Sequence, residues 1–323
     1  MSESSKPDDT RDALRKIGGL LVGLGALMIL IRKSQDWGDF PLFLVLAIPA
    51  VLLYGLGVNT VRDTGEVRPW QAVYTVFGLI LVPFALTRFV NLIGGSAGAD
   101  LNVFWVFAVT AGLGVYAGHV VGVRFGLLAA SIAAIVSWTA LWDKILGDQG
   151  INGHIGTYRG LLGVLAILLL IAGIRLWRAT ADKVEGQRKF SEFLTGAGIA
   201  AVLGCGLGIS TLLTLFPIPF TGGNPIGTSA LWDVLLLVVS IALVGLGSNM
   251  GVRGPVYVGA IGLLLFLLIA GLDLNSKPPH PTHLGLWPLI LLIGGGGAIA
   301  LSTSEGVSLG VGPRQWIRRI TDG

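Results

Sequence analysis

Apolar residues fall into ten long runs along this chain, at 17–31, 40–58, 69–87, 101–121, 125–142, 160–177, 193–216, 229–248, 254–272 and 285–302, with short polar or charged stretches between them. A membrane-crossing helix needs about 20 apolar residues, because a ~30 Å hydrocarbon core is crossed at roughly 1.5 Å per residue. The pattern therefore predicts an all-α, polytopic membrane bundle of about ten transmembrane helices over 17–302. A cytoplasmic segment, 1–16, precedes it and a cytoplasmic tail, 303–323, follows. The first run is short and extends back towards Ala13, so that Lys16 and Arg32 snorkel to the two surfaces. Arg32, Lys33, Ser34 and Gln35 follow it, where a signal peptide would carry a small-x-small cleavage site.

Charge sets the expected orientation. With the N-terminus in the cytoplasm, the outer segments hold Arg32, Lys33, Arg88, Lys144, Arg159 and Lys277, and the inner segments hold the other 16 of the 22 Lys and Arg residues. Such an excess marks the cytoplasmic side. Tryptophan agrees: Trp105, Trp232 and Trp287 open spans from the outside, Trp70 opens one from the inside and Trp177 closes one there. Indole rings favour the headgroup level. In the tail, Trp316, Ile317 and Ile320 share one face with Arg314, Arg318 and Arg319 around it, an amphipathic segment suited to anionic lipids of the inner leaflet.

Composition sharpens the picture. Hydrophobic residues make up 53% and charged residues 12%, about half the ~25% of soluble domains. That excludes an ordinary soluble protein and a disordered chain. The net charge of +4 does not point to nucleic acid. The single cysteine, Cys205, cannot form an intrachain disulfide. Glycine, at 49 residues, is about twice its usual ~7%, which suits helices that pack backbone to backbone.

Three segments resemble one another: Gly55-Leu-Gly-Val-Asn-Thr-Val-Arg62, Ala117-Gly-His-Val-Val-Gly-Val-Arg124 and Gly245-Leu-Gly-Ser-Asn-Met-Gly-Val-Arg253. Each is expected to end one helix, turn in the cytoplasm and start the next. Asp143 and Asp273 follow Arg124 and Arg253 at similar distances. The unit is a helical hairpin repeated in parallel at spans 2–3, 4–5 and 8–9. Glycine would cap the helix in a left-handed conformation, and arginine would meet free carbonyls and headgroups.

Candidate chemistry is sparse. No catalytic constellation, cofactor motif or metal site is visible. His280 and His283 lack the further ligands zinc needs, and Asp143, Asp148 and His154 read as a solvated outer loop. His119 lies 14 residues past Trp105, near the inner interface at ~1.5 Å per residue. Asn59 and Asn249 occupy similar places, and the three either line a vestibule or cap helix ends. Arg88 is expected to snorkel to the outer headgroups. The 178–192 stretch reads as a polar loop of mixed charge. Backbone irregularity is the better signal for a hinge or substrate path: Pro49 and Pro83 fall in mid-span, and Gly294, Gly295, Gly296 and Gly297 interrupt the last one. At about 1 kcal/mol per helix-interior glycine relative to Ala, four together weaken that helix by roughly 4 kcal/mol. Broken helices at the midplane mark transporter sites.

Ten spans with both ends inside resemble the drug/metabolite transporter superfamily in count and topology. That superfamily is similar to a five-plus-five inverted duplication, whereas the likeness here joins parallel hairpins, so no residue roles are carried over. Arg253-Gly-Pro-Val-Tyr-Val-Gly-Ala-Ile-Gly262 and Gly271-Leu-Asp-Leu-Asn275 resemble uncharacterised multi-pass membrane proteins of actinobacterial type, which implies no activity. The span interiors hold almost no charge, so a hydrated ion path is poorly supplied. The expected function is a permease-like or lipid- and amphiphile-handling protein of the cell membrane. The alternative is a non-transporting scaffold, sensor or complex subunit that uses the 178–192 stretch and the tail as contacts.

Overall fold

A computed structural model describes residues 6–64, 68–147, 154–206 and 230–272. Among these the chain is helical throughout, without strands: α1 (Lys6–Lys33), α2 (Asp39–Thr64), α3 (Pro69–Leu92), α4 (Asp100–Val115) with a π-helical turn at Tyr116–Val120, α5 (Gly126–Leu146), α6 (Ile155–Ala179), α7 (Lys183–Gly206), α8 (Ala230–Met250) and α9 (Arg253–Leu272). Seven of the described helices are long and apolar enough to cross a membrane, as a multi-pass membrane protein requires. The tenth run, Asp273 and most of the second half of the seventh run lie outside the described residues, as do Gly294 to Gly297 and the C-terminal tail.

Two compact units divide the chain, Met1–Ala200 and Ala201–Gly323. In the first, α2 pairs with α3 and α4 with α5, each as a hairpin; α1 lies against α3 and α2, and α5 touches α6. Ala26, Leu46, Ala50, Leu53, Leu81 and Ala85 form the core that joins α1, α2 and α3. Helices α2 and α3 run through Pro49 and Pro83 without a non-helical residue. In the second unit α8 pairs with α9, and a Cβ on Gly259 would lie 2.7 Å from the Ser240 carbonyl oxygen.

Close backbone approach, not apolar bulk, sets the α4–α5 crossing. A Cβ on Gly118 would lie 2.6 Å from the Leu127 nitrogen, and one on Gly126 would lie 2.6 Å from the Gly118 nitrogen. Backbone atoms cannot swing aside as a side-chain tip can. Small residues at such contacts let membrane helices approach closely when apolar lipid offers no driving force between them.

The stretch 178–192 departs from the expected loop. Only Thr180 to Asp182 separate α6 from α7, and α7 is helical from Lys183. Glu185, Lys189 and Glu192 fall at helical spacing on one face, and every residue from Glu192 to Gly198 is buried. Trp177 stacks on Phe190 at 5.3 Å between ring centroids, which closes the short connection.

Gly118→Ala is expected to destabilise the protein by roughly 1–3 kcal/mol, the usual cost of overpacking. Gly160→Ala meets nothing within 4 Å and is expected to be neutral or stabilising by up to about 1 kcal/mol. Thermal unfolding of both variants in detergent checks the pair; equal melting temperatures would remove the close-approach account.

Candidate functional site

The turn from α4 to α5 collects the unusual features of the first unit. Helix α4 loosens into five π-helical residues, Tyr116–Val120, and the Val121 N–H reaches back to the Tyr116 carbonyl at 3.1 Å. Single π turns occur often at functional sites. Gly122 follows at φ +81°, where glycine has no steric cost. Phe125 then takes φ +66°. A bulky residue in the left-handed region costs of order 1–3 kcal/mol and persists only where its surroundings impose it.

Helix α7 supplies that imposition. One Glu192 carboxylate oxygen accepts from the Phe125 N–H at 3.0 Å, and the other accepts from Leu127 and Leu128 at 3.0 and 3.3 Å. These are free amides of the first turn of α5, satisfied by a remote carboxylate instead of a local cap. Three residues earlier on the same face, Lys189 donates to the His119 carbonyl at 3.4 Å and pairs with Glu185 at 2.8 Å. An anion thus meets the positive end of α5 and a cation the negative end of the α4 turn, each the sign that the helix dipole favours. Lys189 and Glu192 are 6% and 8% exposed, so both charges are held nearly dry. Burial pushes the Glu192 carboxyl above the usual carboxylate range; the three amides and nearby Arg188 pull it back in part.

Beside this turn, Arg68, Pro69, Ala72, Arg124 and Phe125 line a cavity of about 180 Å³. Ala72 and Val123 form the small core behind it. Arg68 precedes α3, and its N–H donates to the Gln71 side-chain oxygen at 2.5 Å. Asp12 of α1 lies 3.7 Å from Arg68 and 3.8 Å from Arg15, and the Arg15 guanidinium sits 5.1 Å from the centre of the Trp70 ring. Trp70, at the start of α3, is therefore buried under α1, at 4% exposed.

The other sequence candidates fall elsewhere. His119 sits in the π turn with an exposed side chain, and its backbone carbonyl makes the contact. Asn59 and Asn249 are exposed. Arg88, expected to snorkel, instead donates to Asp39 at 2.9 Å, and Asn91 donates to the same oxygen at 3.3 Å; this pair ties the start of α2 to the last turns of α3. Tyr158 donates to Asp143. Among the described residues no cluster of three or more His, Cys, Asp or Glu could hold a metal; His280, His283 and Asp148 lie outside them. The features that sequence reasoning passed over are Lys189 and Glu192. Their signal was present: acids and a lysine at positions 185, 189 and 192 directly precede an apolar run.

No protein-family model, curated protein or solved structure matches the chain.

Removing one partner of a buried charge arrangement typically costs roughly 3–5 kcal/mol. Glu192→Ala and Lys189→Met are expected to lose amounts in that range, whereas Lys183→Met, at an exposed position, should stay within about 0.5 kcal/mol. The raised carboxyl of Glu192 adds a pH test. The folded state holds this proton more tightly than the unfolded chain does, so its contribution falls as pH rises from the unfolded-state value of about 4.3 through the folded-state value. Glu192→Gln should flatten that part of the stability profile, measured by melting temperature between acid and neutral pH.

Proposed function

We propose that the protein is a multi-pass protein of the cell membrane, with both termini in the cytoplasm, that handles lipids or other amphiphiles at the inner leaflet in a permease-like manner. The observation that carries this reading is the cavity at the α4–α5 turn, lined by Arg68 and Arg124 together with Pro69, Ala72 and Phe125. A lining of basic and apolar side chains suits a molecule with an anionic head and an apolar body.

Hydroxyl placement supports an amphiphile over a small ion. The buried hydroxyls of Thr110, Ser131, Thr195 and Ser240 each donate to the carbonyl four residues earlier, and that of Ser137 donates to the Phe104 carbonyl. Groups committed in this way do not supply a hydrated path.

The parallel-hairpin repeat, within a bundle of ten spans, belongs to the same proposal. Gly122 and Gly251 stand two residues before Arg124 and Arg253, and both have positive φ, +81° and +67°. Gly118 and Gly247 stand six residues before those arginines, and a Cβ on either would collide with the residue three after, Leu127 or Val256. In the third segment Arg62 lies inside α2; that hairpin departs from the other two.

Orientation is tested with single cysteines in a Cys205→Ala background. A membrane-impermeant thiol reagent applied to intact cells should label Gln35→Cys, between α1 and α2, and spare Ala181→Cys, between α6 and α7; both positions are exposed. The reverse pattern would invert the topology. Handling of amphiphiles is tested in proteoliposomes that contain fluorescently tagged phosphatidylethanolamine. Dithionite should quench the inner-leaflet fraction when the protein is present and spare it in protein-free vesicles. Equal quenching in both would favour the scaffold, sensor or subunit reading.

A further inference from the structure

We infer that the cavity between Arg68 and Arg124 is a binding site for a phosphate group, the anionic head of the amphiphile in the reading above, on which this inference rests. Its two arginines come from separate elements, the residue before α3 and the turn before α5, and both line one space of about 180 Å³. Guanidinium forks match phosphate oxygens in pairs, so two of them around one small space favour phosphate over a carboxylate or a halide. The space is smaller than the ~300–1,000 Å³ of sites that enclose a whole small molecule. It suits a headgroup whose remainder lies outside.

Neighbouring acids leave these arginines available. Glu192 is committed to three backbone amides and Glu185 to Lys189 and Arg188. Asp12 approaches Arg68 only to 3.7 Å and is shared with Arg15. Arg124 makes no ion pair within 4.0 Å among the described residues and is exposed on the rim. Its place is fixed from behind: it directly precedes Phe125, whose left-handed backbone is held by Glu192. The backbone that carries Arg124 is therefore held before any ligand arrives, which lowers part of the entropy lost on binding.

The phosphate could come from a membrane lipid or from a soluble organophosphate, and the experiment separates the two. The full chain is purified in neutral detergent, and bound phosphatidic acid and phosphatidylcholine are measured by native mass spectrometry. Wild type should retain phosphatidic acid over phosphatidylcholine. Loss of a charge-assisted contact weakens binding by roughly tenfold, so Arg68→Gln with Arg124→Gln should lower phosphatidic acid affinity by roughly a hundredfold. Arg68→Lys with Arg124→Lys keeps the charge and should fall between. Arg175→Gln with Arg178→Gln, exposed on α6 outside the cavity, should bind as wild type does. Displacement of the lipid by millimolar glycerol 3-phosphate would assign the site to soluble organophosphates; persistence of the lipid would assign it to headgroups. Equal affinity in wild type and both Arg68/Arg124 double variants would overturn the site, as would equal retention of the two lipids by wild type. Quenching in the vesicle assay with arginine-independent binding would leave the amphiphile reading standing without this site. Arginine-dependent binding without quenching would leave the site standing without that reading.

Discussion

A turn between two tightly crossed helices leaves amides and carbonyls without partners, and in a chain this apolar there is little else to satisfy them. Glu192 and Lys189 do so from a third helix. Much of the first unit follows from that constraint. The carboxylate needs the amides of Phe125, Leu127 and Leu128 to offset its own desolvation, and those amides need an acceptor, so neither is stable in place without the other. The first turns of α7 form a helix, buried on the face of Lys189 and Glu192, where a solvated loop was expected. Phe125 can remain in a backbone conformation that it would otherwise leave.

The glycine contacts and the charge arrangement are two parts of one arrangement. Gly118 and Gly126 bring α4 and α5 so close that no side chain fits between their ends. The turn is then too short for local caps to reach its free groups, and the remote clamp takes their place. The same closeness shapes the surface beside it. Arg124 leaves the turn towards Arg68, and the short side chain of Ala72 leaves room between them.

Several polar groups elsewhere in the first unit are settled locally or at the far ends of the helices. The hydroxyls of Thr110, Ser131 and Thr195 bond their own helices, and Asp39 with Arg88 and Asn91 secures the junction of α2 with α3. The α8–α9 turn in the second unit has its own arginine-lined cavity, of about 280 Å³, with Gly247, Gly251, Arg253 and Tyr257 among its walls. A basic group beside a glycine turn is thus a feature that both units carry.

The sequence by itself determined the helical class, the approximate bounds of most spans and the turns near Arg124 and Arg253. It could do so because apolar length and glycine position are local properties, readable without knowing what packs on what. Pro49 and Pro83 were legible as mid-span residues, and both lie inside helices, α2 and α3. His119 was legible as a polar residue near a helix end, but its carbonyl, and not its imidazole, proved to be the group in use. Only the tertiary structure decided that 183–192 is helix, that Trp70 is covered by α1, and that Arg68 and Arg124 share a cavity. Each depends on partners far apart in sequence: Glu192 and Phe125, Arg15 and Trp70, α3 and the α5 turn. A charged stretch reads as a solvated loop until the free helix ends that need its charges are placed beside it, and that placement is a property of packing alone.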